Sequence, residues 1–81
     1  MVVSVQFCGV QRSLTRTNEM EIPLPNEGRV RDVFAYLLAC FPGLPLNNDS
    51  VFVTVNNKIS NIEQTLRPHD TVTFLPHIGG G

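Results

Sequence analysis

Between Val30 and Phe41 the apolar residues Val30, Val33, Phe34, Leu37, Leu38 and Phe41 recur at offsets of three and four, with Arg31, Asp32 and Ala35 on the opposite side. That spacing lays one broad apolar stripe along a helix. Asn26 or Gly28 can cap its start, Glu27 suits the positive end of the helix dipole, and Pro42-Gly43 stops it. At about 1.5–3 kcal/mol per fully buried large side chain, the stripe offers on the order of 10 kcal/mol, to be set against ordering entropy. Such a helix needs a surface to cover.

Period-two segments supply it. In Val2 to Cys8, Val3, Val5 and Phe7 alternate with Ser4 and Gln6, the pattern of a strand with one buried face. Gly9 to Asn18 is polar apart from Leu14 and reads as a long hairpin loop. It leads to a second strand, Glu19 to Leu24, where Met20, Ile22 and Leu24 alternate with Glu19, Glu21 and Pro23. Pro23 has no amide donor, which predicts a sheet edge or an outward-facing position for that strand. Val51 to Val55 and Thr71 to Leu75 are further strands, Asn56-Asn57 is a turn pair, Lys58 to Ser60 is a short return strand, and Leu66 to Asp70 is a tight turn. The order β-β-α-β-(β)-β predicts an α+β domain, a mixed sheet of four or five strands covered on one face by one main helix.

A chain of 81 residues holds one domain, without repeats or linkers. Apolar residues make up 42% and charged residues 16%, which excludes a disordered chain and a charged coiled coil. Six basic against seven acidic residues give a net charge of -1, a poor basis for binding nucleic acid or acidic lipid. No apolar run approaches the roughly 18 residues of a membrane helix, and no basic segment followed by an apolar core opens the chain. Cys8 and Cys40 lie far apart, and His69 and His77 fit no zinc spacing, so both thiols read as reduced and structural. These features together predict a cytoplasmic protein that binds no metal.

The function signal lies at the end of the chain. After Phe74-Leu75-Pro76-His77-Ile78 come Gly79, Gly80 and Gly81, although a folded domain has no packing reason to follow a strand with three glycines. Lacking Cβ atoms, such an end can thread a narrow channel. From Pro76 to Gly81 an extended chain reaches roughly 17 Å, enough to enter a buried site on another protein. It would deliver the α-carboxylate of Gly81, a poor electrophile until joined to a nucleotide as a mixed anhydride, after which a sulfur or amine nucleophile can take the acyl group. The expected division is a domain over residues 1–76 and a flexible glycine-rich tail over 77–81.

In this context the sequence resembles the ubiquitin-like sulfur carriers of the β-grasp fold, and among them the small subunit of molybdopterin synthase. The resemblance rests on Val55-Asn56, on Leu66, on Asp70-Thr71-Val72-Thr73-Phe74-Leu75-Pro76, and on Gly80-Gly81, in order and spacing, with Phe7 and Phe41-Pro42-Gly43-Leu44 also similar. It implies strand one and the last strand side by side, and a thiocarboxylate at Gly81. It also implies an adenylating enzyme of the ubiquitin-activator type that spends ATP, a sulfurtransferase or cysteine desulfurase as sulfur source, and a large synthase subunit as recipient. No cofactor is expected on the chain itself. His69 stands where the family often has glycine, so that turn is expected to differ. His77 and Gly79 depart from the family's tail, and Arg12 falls one position late for the basic residue after strand one.

Leu75, Ile78 and Phe52 fall out of phase with the inner faces, and with Gly79 and Gly80 they are the expected partner-binding residues. The alternative is that they fill a second small core. Lys58, the only lysine, reads as a surface residue, as do Arg29, Arg31 and Asp32. There is no Ser-His-Asp set, no spaced carboxylate pair and no phosphate-binding glycine loop, so no autonomous active site is expected. Competing readings are a carrier serving thiamine, cysteine or another thio-metabolite, a ubiquitin-like modifier that forms isopeptides, and a non-covalent interaction domain with incidental glycines.

Overall fold

A computed structural model describes residues 1–46 and 51–76. In chain order its elements are β1 (Val2–Gln6), α1 (Val10–Thr15), β2 (Glu19–Pro23), α2 (Val30–Cys40), β3 (Val51–Val55), β4 (Lys58–Ile59) and β5 (Thr71–Pro76). The strands form one sheet in the order β2-β1-β5-β3-β4. β1 runs parallel to β5, pairing Ser4 with Thr71 and Gln6 with Thr73, and every other pairing is antiparallel. This is the β-grasp arrangement, with the first and last strands adjacent at its centre. β2 lies at an edge, where a proline costs the ladder no hydrogen bond.

One face of the sheet buries Val3, Val5, Ile22, Val53, Val72 and Phe74, and α2 sets Val30, Val33, Phe34 and Leu37 into the same core. The Phe34 and Phe74 rings lie 4.8 Å apart at 46°, a tilted aromatic contact. Leu38 and Phe41 of the expected stripe are only partly buried and pack on the margin of this core. The reason is at the helix end: Phe41 is the C-cap, its N–H bonded to Leu37 O at 2.7 Å, so its side chain leaves the helical phase.

The start of α2 differs from the expected capping by Asn26 or Gly28. Arg29 is the N-cap, and its N–H donates to Asp32 Oδ2 at 2.8 Å. The loop after β4 completes the cap, since Val30 N–H reaches Gln64 O and Arg31 N–H reaches Ile62 O, both at 3.0 Å. Donors that a helix start leaves open are thus satisfied by a distant segment, which no local motif announces. Gly28 serves packing instead. A Cβ there would lie 3.0 Å from Pro25 O and 3.2 Å from Leu24 Cβ, tight enough that the buried turn would have to shift.

Several turns take left-handed backbone, two of them at the polar end of the sheet. Asn56 and Asn57 have φ of 52° and 69°, the geometry of a two-residue hairpin turn for which Asn is well suited. His69 has φ 68°, so the turn keeps the left-handed residue a glycine would provide, contrary to the departure expected from its side chain. His69 N–H bonds Val2 O at 2.7 Å, which ties the turn to the start of β1.

The stretch Gly9 to Asn18 is a correction. It contains a short helix, α1, where the sequence reads as a loop. Six residues carry too little periodicity to betray a helix, and the one that faces inward is polar: Gln11, 2% exposed.

Candidate functional site: the outer sheet face and the root of the tail

The face of the sheet away from α2 carries the outward residues of each strand. Antiparallel register sets Phe52 of β3 directly opposite Leu75 of β5, and Thr54 opposite both Thr73 and Ile59. Directly paired side chains share a face. Phe52 is 46% exposed, Leu75 39% and Ile59 73%. An apolar patch therefore lies on Leu75, the residue before Pro76, and its cross-strand partner Phe52, with Ile59 further along the same face beside Thr54. Phe52 and Leu75 do not fill a second core, because the core lies on the other side of the sheet. Ile59 was not singled out from the sequence, although a two-residue turn at Asn56-Asn57 fixes Lys58 opposite Val55 and hence Ile59 opposite Thr54.

The other expected partner-binding residues, Ile78, Gly79 and Gly80, and the expected reacting residue Gly81, lie outside the described residues. β5 ends at Pro76, paired with Val51, so residues 77–81 follow directly from the strand end that bears Leu75. The parallel pairing of β1 and β5 makes this end of the sheet also the end at which β1 turns into α1. α1 adds Val10 and Leu14, 57% and 49% exposed, to the same end of the molecule, together with exposed Arg12.

The opposite end of β5 is polar. An open cavity of about 590 Å³ there is lined by Lys58, Arg67 and Asp70 among others. Both carboxylate oxygens of Asp70 are engaged, Oδ1 by Asn56 Nδ2 at 2.9 Å and Oδ2 by Arg67 N–H at 2.8 Å. Arg29 and Arg31 form exposed ion pairs with Glu63 at 2.7 and 3.2 Å, the kind of surface contact that contributes little. Among the described residues no group of three His, Cys, Asp or Glu could hold a metal ion, and Cys8 and Cys40 are free thiols. No helix among those residues is long and apolar enough to cross a membrane.

A five-stranded β-grasp sheet covered by one main helix defines a ubiquitin-like protein of the kind found among sulfur carriers and protein modifiers. The chain belongs to the ThiS family, which it matches over residues 5–81. No curated protein matches it in sequence. Among solved structures it is similar to a putative molybdopterin converting factor, subunit 1, from Pyrococcus furiosus, at 26% identity and TM-score 0.81 over 95% of this chain and 98% of that one. It is similar in fold to SAMP1 from Haloferax volcanii, at 13% identity and TM-score 0.85 over the whole of both chains. It is also similar in fold to a chain of the complex of subunits 1 and 2 of the molybdopterin-converting factor from Helicobacter pylori 26695, at 22% identity and TM-score 0.69 over the whole of both chains.

Proposed function

We propose that this protein carries sulfur as a thiocarboxylate on Gly81 and donates it in the assembly of molybdopterin. The carboxylate is first joined to AMP, with pyrophosphate leaving ATP in the site of an adenylating enzyme. The terminal sulfur of an enzyme-bound persulfide then displaces AMP to give an acyl disulfide, and a second thiol cleaves it, releasing the thiocarboxylate and leaving the enzyme sulfurs as a disulfide. A sulfurtransferase or cysteine desulfurase supplies the sulfur, and a large synthase subunit receives the loaded tail. The chain's own part is binding and delivery: Phe52, Leu75 and Ile78 dock the partner, while Gly79 and Gly80 pass through its channel without side chains.

The observation that carries this reading is the exposed pair of Leu75, on the strand that precedes Gly79-Gly80-Gly81, and Phe52 on its neighbour β3, in a chain of the ThiS family. The molybdopterin assignment draws on the 26% identical Pyrococcus furiosus protein and on the two-subunit complex from Helicobacter pylori. A second reading, a ubiquitin-like modifier, is favoured by the full-length likeness to SAMP1. A carrier for another thio-metabolite has the fold of the Amycolatopsis orientalis BexX/CysO complex on its side.

Intact-mass measurement of the protein isolated from its own cell tests the carrier reading. Exchange of one oxygen for sulfur adds about 16 Da, and deletion of Gly81 removes the increment. An unmodified mass in the presence of ATP and an active adenylating enzyme sinks it. Adducts on denaturing gels that resist thiols would favour the modifier, and the large subunit that co-purifies separates molybdopterin from the other acceptors.

A further inference from the structure

The parallel ladder between β1 and β5 is broken at one rung. Ser4 N–H donates to Asp70 O at 2.9 Å, and a parallel ladder repeats every second residue, so later rungs fall at Gln6 with Val72 and at Cys8 with Phe74. The last of these is not made directly. Cys8 N–H donates instead to Gln11 Oε1 at 3.2 Å, and Gln11 Nε2 donates to Phe74 O at 2.9 Å. A side-chain amide, with one acceptor and one donor in a fixed plane, is inserted where two backbone groups would otherwise meet. It satisfies both, so neither is left open in a buried site.

Two consequences follow for the chain beyond Phe74. β1 ends at Gln6 while β5 runs on beside β3 to Pro76, so the Gln11 amide takes the place of β1 on the other side of Phe74. The same amide ties that point to α1, because Gln11 lies in the first turn of the helix. Leu75 and Pro76 come next. We infer that Gln11 is a positioning residue for the Gly81 carboxylate: its amide clasps the end of β5 to α1 and, opposite β3, fixes the Leu75-Pro76 strand end that a partner's active site must receive. The inference deepens the carrier reading and rests on it for its kinetic consequence. A reacting carboxylate is sensitive to such aim, since small misplacement of a reacting group costs large factors in rate.

The test uses the full chain with two variants. Gln11→Met keeps the length and loses both bonds, and Gln11→Glu keeps the acceptor for Cys8 N–H and loses only the donor to Phe74. With circular dichroism confirming the fold, exchange of the Leu75 amide in the free protein should accelerate about tenfold. Pyrophosphate exchange catalysed by an adenylating enzyme from the same cell should show kcat lowered about tenfold with Kd for that enzyme unchanged. A residue that merely stabilised the fold would lower the melting temperature and leave kcat intact well below it. Should Gln11→Met fail to fold, Gln11→Glu decides the matter by the same two readouts. Unchanged Leu75 exchange, unchanged kcat in a folded variant, or an equal loss in Kd overturns the inference. If wild-type protein is never adenylated, the carrier reading fails, and Leu75 exchange alone decides whether Gln11 clasps the strand.

Discussion

The two ends of β5 are built by different means. At its start, Thr71 N–H donates to Asn56 Oδ1 at 2.9 Å, Asn56 N–H returns a bond to Thr71 O at 2.8 Å, and Asp70 holds both Asn56 and Arg67. His69 adds the bond to Val2. At its finish, paired with β3 on one side, it receives a side-chain clasp from Gln11 on the other, and the outward residue is Leu75, 39% exposed beside Phe52. Val72 and Phe74 between them are fully buried. A polar, turn-rich end keeps the strand in register, while the other end leaves apolar surface exposed. Under the proposed function, stability and recognition fall to opposite ends of one strand.

Phe52→Asp should break this contrast most visibly. Placing a carboxylate in a desolvated docking patch should weaken binding to the adenylating enzyme by about 2 kcal/mol or more, as loss of an aromatic anchor does. Because Phe52 points away from the core, the melting temperature should stay within a few degrees of wild type. Isothermal titration against the enzyme and a thermal melt read the two quantities. Unfolding of this variant would mean that the outer face contributes to the core after all.

Asp70→Ala sharpens the contrast from the other side. Two hydrogen bonds to a carboxylate are lost at a partly exposed site, so unfolding free energy should fall by about 1–2 kcal/mol while affinity for the partner is unaltered. Urea titration measures the first, and a change in midpoint without a change in slope is expected. A loss of partner affinity would show that the polar end also docks.

How much of this could be read from the chain differs between the same two ends. Val3, Val5, Val72 and Phe74 announced their inward phase by strict alternation, and the helix stripe by its spacing, so the layers were accessible, whereas the adjacency of the first and last strands came only from the family resemblance. Phe52 and Leu75 were accessible for the converse reason, being apolar residues in the wrong phase. α1 was hidden because its inward residue is a glutamine, whose burial depends on two backbone groups, Cys8 N–H and Phe74 O, the latter 63 residues away in sequence. The cap of α2 was hidden likewise, since its acceptors come from Ile62 and Gln64. Local pattern reports which face is apolar. It does not report which distant polar atom will complete a rung or a cap.

The smallest expected effect concerns His69. Its φ of 68° places an L side chain in the left-handed region, which costs about 1–2 kcal/mol relative to ordinary backbone. Glycine takes that conformation without the penalty but loses more entropy on folding. The backbone bond from residue 69 to Val2 O does not involve the imidazole and should survive. The difference leaves a net gain of about 0.5–1 kcal/mol for His69→Gly, seen as a melting temperature raised by a few degrees. The substitution lies at the tight end of β5, so adenylation kinetics should be unaltered. A lowered melting temperature would mean that the imidazole itself contributes to holding the turn against β1.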